Sequence, residues 1–121
     1  MNKKIALIEK QKVFSRLLAQ FIHDLYRRGY EVTLGEAWRP EEVAKYYAEN
    51  GRGIENSNHC NRLAIDLNIF YHKDWLLSKE DLEIPGKIWK SYSNSLIECC
   101  WGGDFKEVDA QHFSILHNGI R

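Results

Sequence analysis

Two histidines and two aspartates in this chain are spaced so that they could share one reaction centre. His59 lies in the polar loop S-N-H-C-N-R, and Asp66 follows seven residues later inside the apolar run L-A-I-D-L-N-I-F. Side chains of an extended strand alternate between faces, so Leu63, Ile65, Leu67 and Ile69 share one face and Ala64, Asp66 and Asn68 the other. A carboxylate thus projects from a strand whose opposite side is core. In a continuous strand His59 would face away from Asp66, so His59 must sit on a loop that curls back over it. A carboxylate on a buried strand beside an imidazole is either a hydrogen-bonded pair or two ligands of one metal, and the pair alone leaves both open. Near the C-terminus D-A-Q-H-F-S-I-L carries a second imidazole. Phe113 and Ile115 fall on one strand face, His112 and Ser114 on the other, and Asp109 lies three residues ahead of His112, where a turn enters the strand.

Two histidines and a carboxylate form a common ligand set for catalytic zinc, with the fourth position left to water. Such a metal lowers the pKa of its water from about 16 to about 7, which makes hydroxide available at neutral pH. Hydrolysis then needs a base within reach of that water, a part suited to Asp109, and a cation such as Arg39 to meet the oxyanion. Arg39 stands in E-A-W-R-P, at the junction of a strand and a helix opened by Pro40; its plainer reading is a surface pair with Glu36 or Glu42. Neither half is specific alone. H-x6-D and D-x-x-H recur by chance, and the helical H-E-x-x-H signature is absent.

The elements that must position these residues follow from periodicity. From about Lys4 to Arg28, Val13, Phe14, Leu17, Leu18, Phe21, Ile22, Leu25 and Tyr26 make a helical stripe, stopped by Gly29, with His23 on the solvated face. A strand is expected over Tyr30 to Glu36, then a short helix from Pro40 with Gly51 past its end. Gly51 to Asn58 is turn-rich and delivers the chain to His59. Tyr71 to Leu77 reads as a connection. Ser78 with Asp81 suggests a helix start that Pro85-Gly86 breaks, and a second helix follows from about Lys87 to Ile97. Cys99 to Trp101 is a short buried strand ended by Gly102-Gly103, and H-N-G-I-R is a polar tail.

A chain of 121 residues is expected to form a single domain over residues 1–121. Seventeen basic residues balance seventeen acidic ones, which argues against a dedicated nucleic-acid binder. Apolar residues make up 44% of the chain, and no stretch approaches the ~18 uninterrupted apolar residues of a membrane span. M-N-K-K-I-A-L-I-E-K begins like a signal peptide, but Glu9 and Lys10 interrupt its apolar core, so a cytoplasmic location is expected. The three cysteines, Cys60, Cys99 and Cys100, fit no even framework and read as reduced structural thiols.

Together the motifs resemble a known family. S-N-H-C-N-R-L-A-I-D resembles the S-x-H-x-x-G-x-A-x-D motif of the zinc D-alanyl-D-alanine carboxypeptidases and the related L-alanyl-D-glutamate endopeptidases. W-G-G-D-F followed by D-A-Q-H-F resembles their second motif, and G-E-A-W-R resembles the strand bearing their arginine. The similarity spans about Tyr30 to Ile115. It implies an α+β fold, with a small antiparallel sheet carrying helices on one face and a zinc cleft on the other. It also implies a Zn2+ cofactor held by His59, Asp66 and His112, with Asp109 as general base and Asp104 as the second choice. By the same resemblance Arg39 binds or polarises the substrate carbonyl, Ser57 and Trp101 contact substrate, and Gly102-Gly103 allow close backbone approach. One departure stands out: Arg62 occupies the position of the motif's glycine, which puts the tight turn there in question.

The implied activity is hydrolysis of the L-alanyl-D-glutamate bond in peptidoglycan stem peptides by a phage-type endolysin. Host lysis, a monomeric state and no stable membrane association go with it, as does storage in the host cytoplasm until a holin admits the enzyme to the wall. The alternatives are a D-alanyl-D-alanine carboxypeptidase and a catalytically silent wall-binding domain of the same fold.

Overall fold

The computed structural model describes residues 5–51 and 57–121. Lys4, at the head of the first expected helix, and residues 52–56 of the turn-rich stretch lie outside the described residues.

Helix α1 (Leu7–Arg27) leads into strand β1 (Tyr30–Leu34), and helix α2 (Glu41–Glu49) follows. After the His59 loop come β2 (Ala64–Tyr71), β3 (Asp74–Leu76), α3 (Glu83–Ser91), β4 (Cys99–Trp101), a 3-10 turn (Gly102–Asp104) and β5 (His112–Ile115). The strands form one antiparallel sheet in the order β1-β2-β5-β4, with β3 paired to the far half of β2. The fold is therefore α+β, as the motifs imply.

The strand alternation read for β2 is the burial observed. Leu63, Ile65, Leu67 and Ile69 are all buried, and helices α1 and α3 pack over that side of the sheet. The stripe on α1 supplies Phe14, Phe21 and Leu25 to the core, while His23 is exposed. Phe21 sits at the centre, with its ring 4.9 Å from that of Phe113 and 5.2 Å from that of Trp89. Full burial of such a ring contributes about 2–3 kcal/mol. The Trp89 indole N–H donates to Ser114 C=O at 3.0 Å, so the core aromatic also braces the strand that carries His112.

Three expectations need correction. The stretch read as a connection after Tyr71 is a hairpin: His72 and Lys73 both adopt positive φ, 51° and 71°, and turn the chain back so that Asp74 pairs with Tyr71. Pro85-Gly86 lies inside α3 rather than before it, and the helix ends at Ser91 rather than Ile97. Pro85 is third in the helix, where its missing N–H would have no intrahelical acceptor, and Gly86 fits because a Cβ there would lie 2.3 Å from the Trp101 ring. The C-terminal tail is folded: His117 and Ile120 bridge, and Ile120 lines the cleft described below.

All three cysteines are free thiols. Burial pushes Cys99 and Cys100 up to about 12 and about 11. They pack as small apolar side chains.

Candidate metal centre and cleft

Asp66 is held between two neighbouring backbones. Its N–H donates to Glu36 C=O at 2.9 Å and its C=O accepts from Gly35 N–H at 2.8 Å, so the chain after β1 continues the pairing past the strand's end. On the other edge of β2, Asp66 stands directly opposite His112. The carboxylate and the imidazole therefore rise from adjacent strands toward the same face.

His59 reaches them from the loop. The N–H of Cys60 donates to Ser57 C=O at 3.0 Å, that of Leu63 to Asn58 C=O at 2.9 Å, and the Ser57 hydroxyl accepts from His59 N–H at 3.2 Å. Asn58 is completely buried, and its amide donates to the carbonyls of Ile115 at 2.8 Å and Ile120 at 2.7 Å, which ties the loop to β5 and the C-terminal turn. His59 C=O accepts from the N–H groups of Arg39 and Arg62. The loop curls back as the strand geometry requires, with His59 Nε2 3.4 Å from Asp66 Oδ1.

The tight turn forms in spite of Arg62, which takes the left-handed conformation at φ 57°. That conformation costs a non-glycine residue about 1–2 kcal/mol. The Arg62 guanidinium lies 4.8 Å above the Trp38 ring, and such a contact returns about 0.5–1 kcal/mol at an exposed site.

His112 Nδ1 is 3.9 Å from Asp66 Oδ1 and 3.9 Å from Asp109 Oδ2. One donor atom each from His59, Asp66 and His112 lies within 4.8 Å of the other two. A tetrahedral zinc with ligands at about 2.0–2.2 Å holds them roughly 3.3 Å apart, close to the 3.4 Å between His59 Nε2 and Asp66 Oδ1 and shorter than the 3.9 Å between His112 Nδ1 and Asp66 Oδ1. Asp66 Oδ1, which faces His59 Nε2 and His112 Nδ1, is buried without a hydrogen-bond partner among the described residues. An anionic oxygen left so is costly unless a cation meets it. Burial, and secondly the neighbouring His59, lower His112 to about 4, so at neutral pH its ring is uncharged with a lone pair to offer. The group fits a divalent ion with two imidazoles and a carboxylate.

These residues face a cleft of about 890 Å³. Asp109 stands at its lip with a side chain 53% exposed. Partial burial, then the charge of Asp66, push its carboxyl above the ordinary range, against the pull of His59 and Arg39. Ser57 and Arg39 also line the cleft. Arg39 makes the pair with Glu36: its Nε donates to Glu36 Oε1 at 2.7 Å, with a second short bond from the same guanidinium, and its side chain borders the cleft. The same Glu36 oxygen lies 3.8 Å from His59 Nδ1.

Trp101 is not brought to the site. It is 3% exposed, its ring packs against Gly86 and Gly103, and its indole N–H donates to Ala110 C=O at 2.8 Å. The W-G-G run instead supports the cleft from behind. Gly102 C=O accepts the N–H of Asp109 at 2.9 Å, and a Cβ on Gly102 would lie 1.9 Å from Asp109 C=O. Asp104 is bonded to Lys90 at 2.8 Å and does not line the cleft. The residues that sequence reasoning left without a role here are Glu36 and the lip residues Phe105 to Val108. Only the i,i+3 spacing of Glu36 and Arg39 gave a signal, and it read as a surface pair.

Residues 49–115 match the family profile described as D-alanyl-D-alanine carboxypeptidase. No curated protein is similar enough to match the chain. Among solved structures, the fold is similar to that of the Serratia marcescens L-Ala D-Glu endopeptidase ChiX, with a TM-score of 0.61 and 14% identity over 96% of this chain and 90% of that one.

Proposed function

The chain belongs to the D-alanyl-D-alanine carboxypeptidase family, whose members are peptidases acting on peptidoglycan, and from that membership we propose a zinc-dependent endopeptidase that cuts the L-alanyl-D-glutamate bond of the stem peptide. The observation that carries the reading is the gathering of His59, Asp66 and His112 around the buried, unpartnered Asp66 Oδ1, facing a cleft that has a carboxylate at its lip. The choice of bond draws on the fold shared along nearly the whole chain with a protein titled as an L-Ala D-Glu endopeptidase. The family description favours a second reading, removal of a terminal D-alanine.

His59, Asp66 and His112 would hold the zinc. The bound ion would act as a Lewis acid toward water and the peptide carbonyl. Asp109 Oδ2 takes the proton of the attacking water and returns it to the departing amine, a task for which a carboxyl raised above its ordinary range is better matched than an unperturbed one. Arg39, oriented by Glu36, offers positive charge to the carbonyl oxygen or a substrate carboxylate. Ser57 and Arg39 border the space where the peptide would lie. We place the enzyme in phage-driven host lysis, held in the cytoplasm until a holin opens the way to the wall, and acting as a monomer.

Mass spectrometry of peptidoglycan fragments after incubation with the zinc-loaded protein, beside a chelated control, tests the reading. Chelator-sensitive release of peptides that begin with D-glutamate is the expected result. Loss of terminal D-alanine alone would replace it with the carboxypeptidase, and no chelator-sensitive product on several wall types would leave a silent binding domain.

A further inference from the structure

Beyond Asp66 the cleft-side face of the sheet is half-buried at Asn68 and Phe70 and exposed at Thr33 and Trp75. Alternation along β2 puts Asn68 and Phe70 on the face of Asp66, and the strand pairing sets Thr33 of β1 opposite Asn68 and Trp75 of β3 opposite Phe70. Asn68 Nδ2 donates to Thr33 Oγ1 at 3.1 Å. The Phe70 and Trp75 rings lie 23° from parallel with centroids 6.2 Å apart, and Trp75 is 52% exposed. Outward from the carboxylate, the surface therefore runs from candidate metal ligand to amide and hydroxyl, then to a stacked aromatic pair. It is continuous with the cleft, because Asp66 lines both.

That order of groups suits a chain of amino sugars. The C–H face of a pyranose ring packs on an aromatic face, while hydroxyl and acetamido groups need amide and hydroxyl partners. Beside Asp66 itself no further peptide strand can pair, because β2 is paired along both edges. Length agrees as well. At about 3.3 Å per residue, Asn68 stands ~7 Å and Phe70 ~13 Å from Asp66 along β2. An extended chain spans about 3.3–3.6 Å per residue, so, with the lactyl link to the sugar counted as one more unit, a sugar bearing the stem begins ~7 Å from the bond after its first residue and ~17 Å from the bond after its fourth.

We propose that Asn68, Thr33, Phe70 and Trp75 form a glycan subsite that holds the amino-sugar chain carrying the scissile peptide. The proposal rests on the endopeptidase reading for its geometry, and its test needs neither metal nor turnover. The full chain, metal-free, is titrated with a β-1,4-linked N-acetylglucosamine tetramer that bears no peptide, and the backbone amide signals of β1, β2 and β3 are followed by NMR. Binding in the millimolar range is expected, weakened on the order of tenfold or more by Trp75→Ala and restored by Trp75→Tyr. Thermal unfolding of each variant checks that the hairpin is kept. No shift at several millimolar, or equal binding by Trp75→Ala, overturns the proposal. So does a wild-type dimer in sedimentation that Trp75→Ala dissociates, since the face would then be covered by a second copy. Glycan binding by a protein that cleaves no stem peptide sustains the subsite and removes the endopeptidase reading.

Discussion

At the scale of residues, the two carboxylates beside the candidate metal ligands, Asp109 and Glu36, carry the sharpest expectations. Asp109 is half exposed, belongs to no core cluster and is absent from the group of donor atoms. Asp109→Ala is therefore expected to keep fold and metal while kcat falls by about 10²–10⁴-fold, the usual share of a general base. Metal content by atomic absorption and turnover of a stem peptide, measured on the same sample, decide it; a variant within tenfold of wild type would move the base elsewhere. Glu36 lies one step further back, with one oxygen facing both the Arg39 guanidinium and His59 Nδ1. A carboxylate behind a ligand histidine fixes the ring and strengthens it as a donor, so Glu36→Gln is expected to weaken metal affinity by about 10–100-fold in competition with a chromophoric chelator. Unchanged affinity with a lower kcat/KM would confine Glu36 to orienting Arg39. The faces of Asp66 and His112 were legible from strand alternation, His59 from the loop that must curl back over Asp66, and Asp109 from its place three residues before His112, while the resemblance of the motifs joined the four. Glu36 was not legible: the strand was expected to reach it, but its pairing with Asp66, thirty residues on, is something no local pattern reveals.

At the scale of elements, the turn after β4 positions Asp109, the proposed base. Gly102 C=O accepts both Phe105 N–H at 3.2 Å and Asp109 N–H at 2.9 Å, which closes the lip loop on itself. The space a Cβ would fill at Gly102 is already taken by backbone, at 1.9 Å from Asp109 C=O and 2.9 Å from His112 Cβ. Gly102→Ala must displace Asp109 relative to His112, so a stability loss of about 1–3 kcal/mol is expected in urea unfolding, with a drop in kcat that metal supplementation does not reverse. A variant with wild-type kcat would show that the lip tolerates displacement. The W-G-G run was readable as a glycine-dependent close approach, yet the role of Trp101 was misplaced. A tryptophan beside two glycines suits a cleft wall and a buried wedge equally, and the choice is made by Gly86 arriving from α3, a distant part of the chain. The same lack of local signal hid β3. Its turn uses His72 and Lys73 at positive φ in place of the Asn-Gly that marks such hairpins, and Tyr71 stacking edge-on to His72 helps to hold them there.

At the scale of the whole molecule, the question is whether metal is needed for the fold or only for the site. The three candidate ligands come from the loop at residues 57–62, from β2 and from β5, so a bound ion would join segments that are far apart in the chain. Those segments are nevertheless joined already: Asn58 holds the loop to Ile115 and Ile120, and strand pairing holds β2 to β5. The core around Phe21, Trp89 and Phe113 lies on the opposite face of the sheet and owes nothing to the ligands. The metal-free protein should therefore remain folded, with wild-type far-UV circular dichroism and a single cooperative thermal transition. Binding only to the native state adds about 4 kcal/mol when free metal exceeds its Kd a thousandfold. At roughly 3–5 °C per kcal/mol for a domain of this size, Tm should rise by about 10–20 °C on zinc addition, and Asp66→Asn should remove most of that rise. A chain that unfolds on chelation would instead mean that the buried charge of Asp66, unmet by a cation, outweighs what the helices and the Asn58 clamp supply.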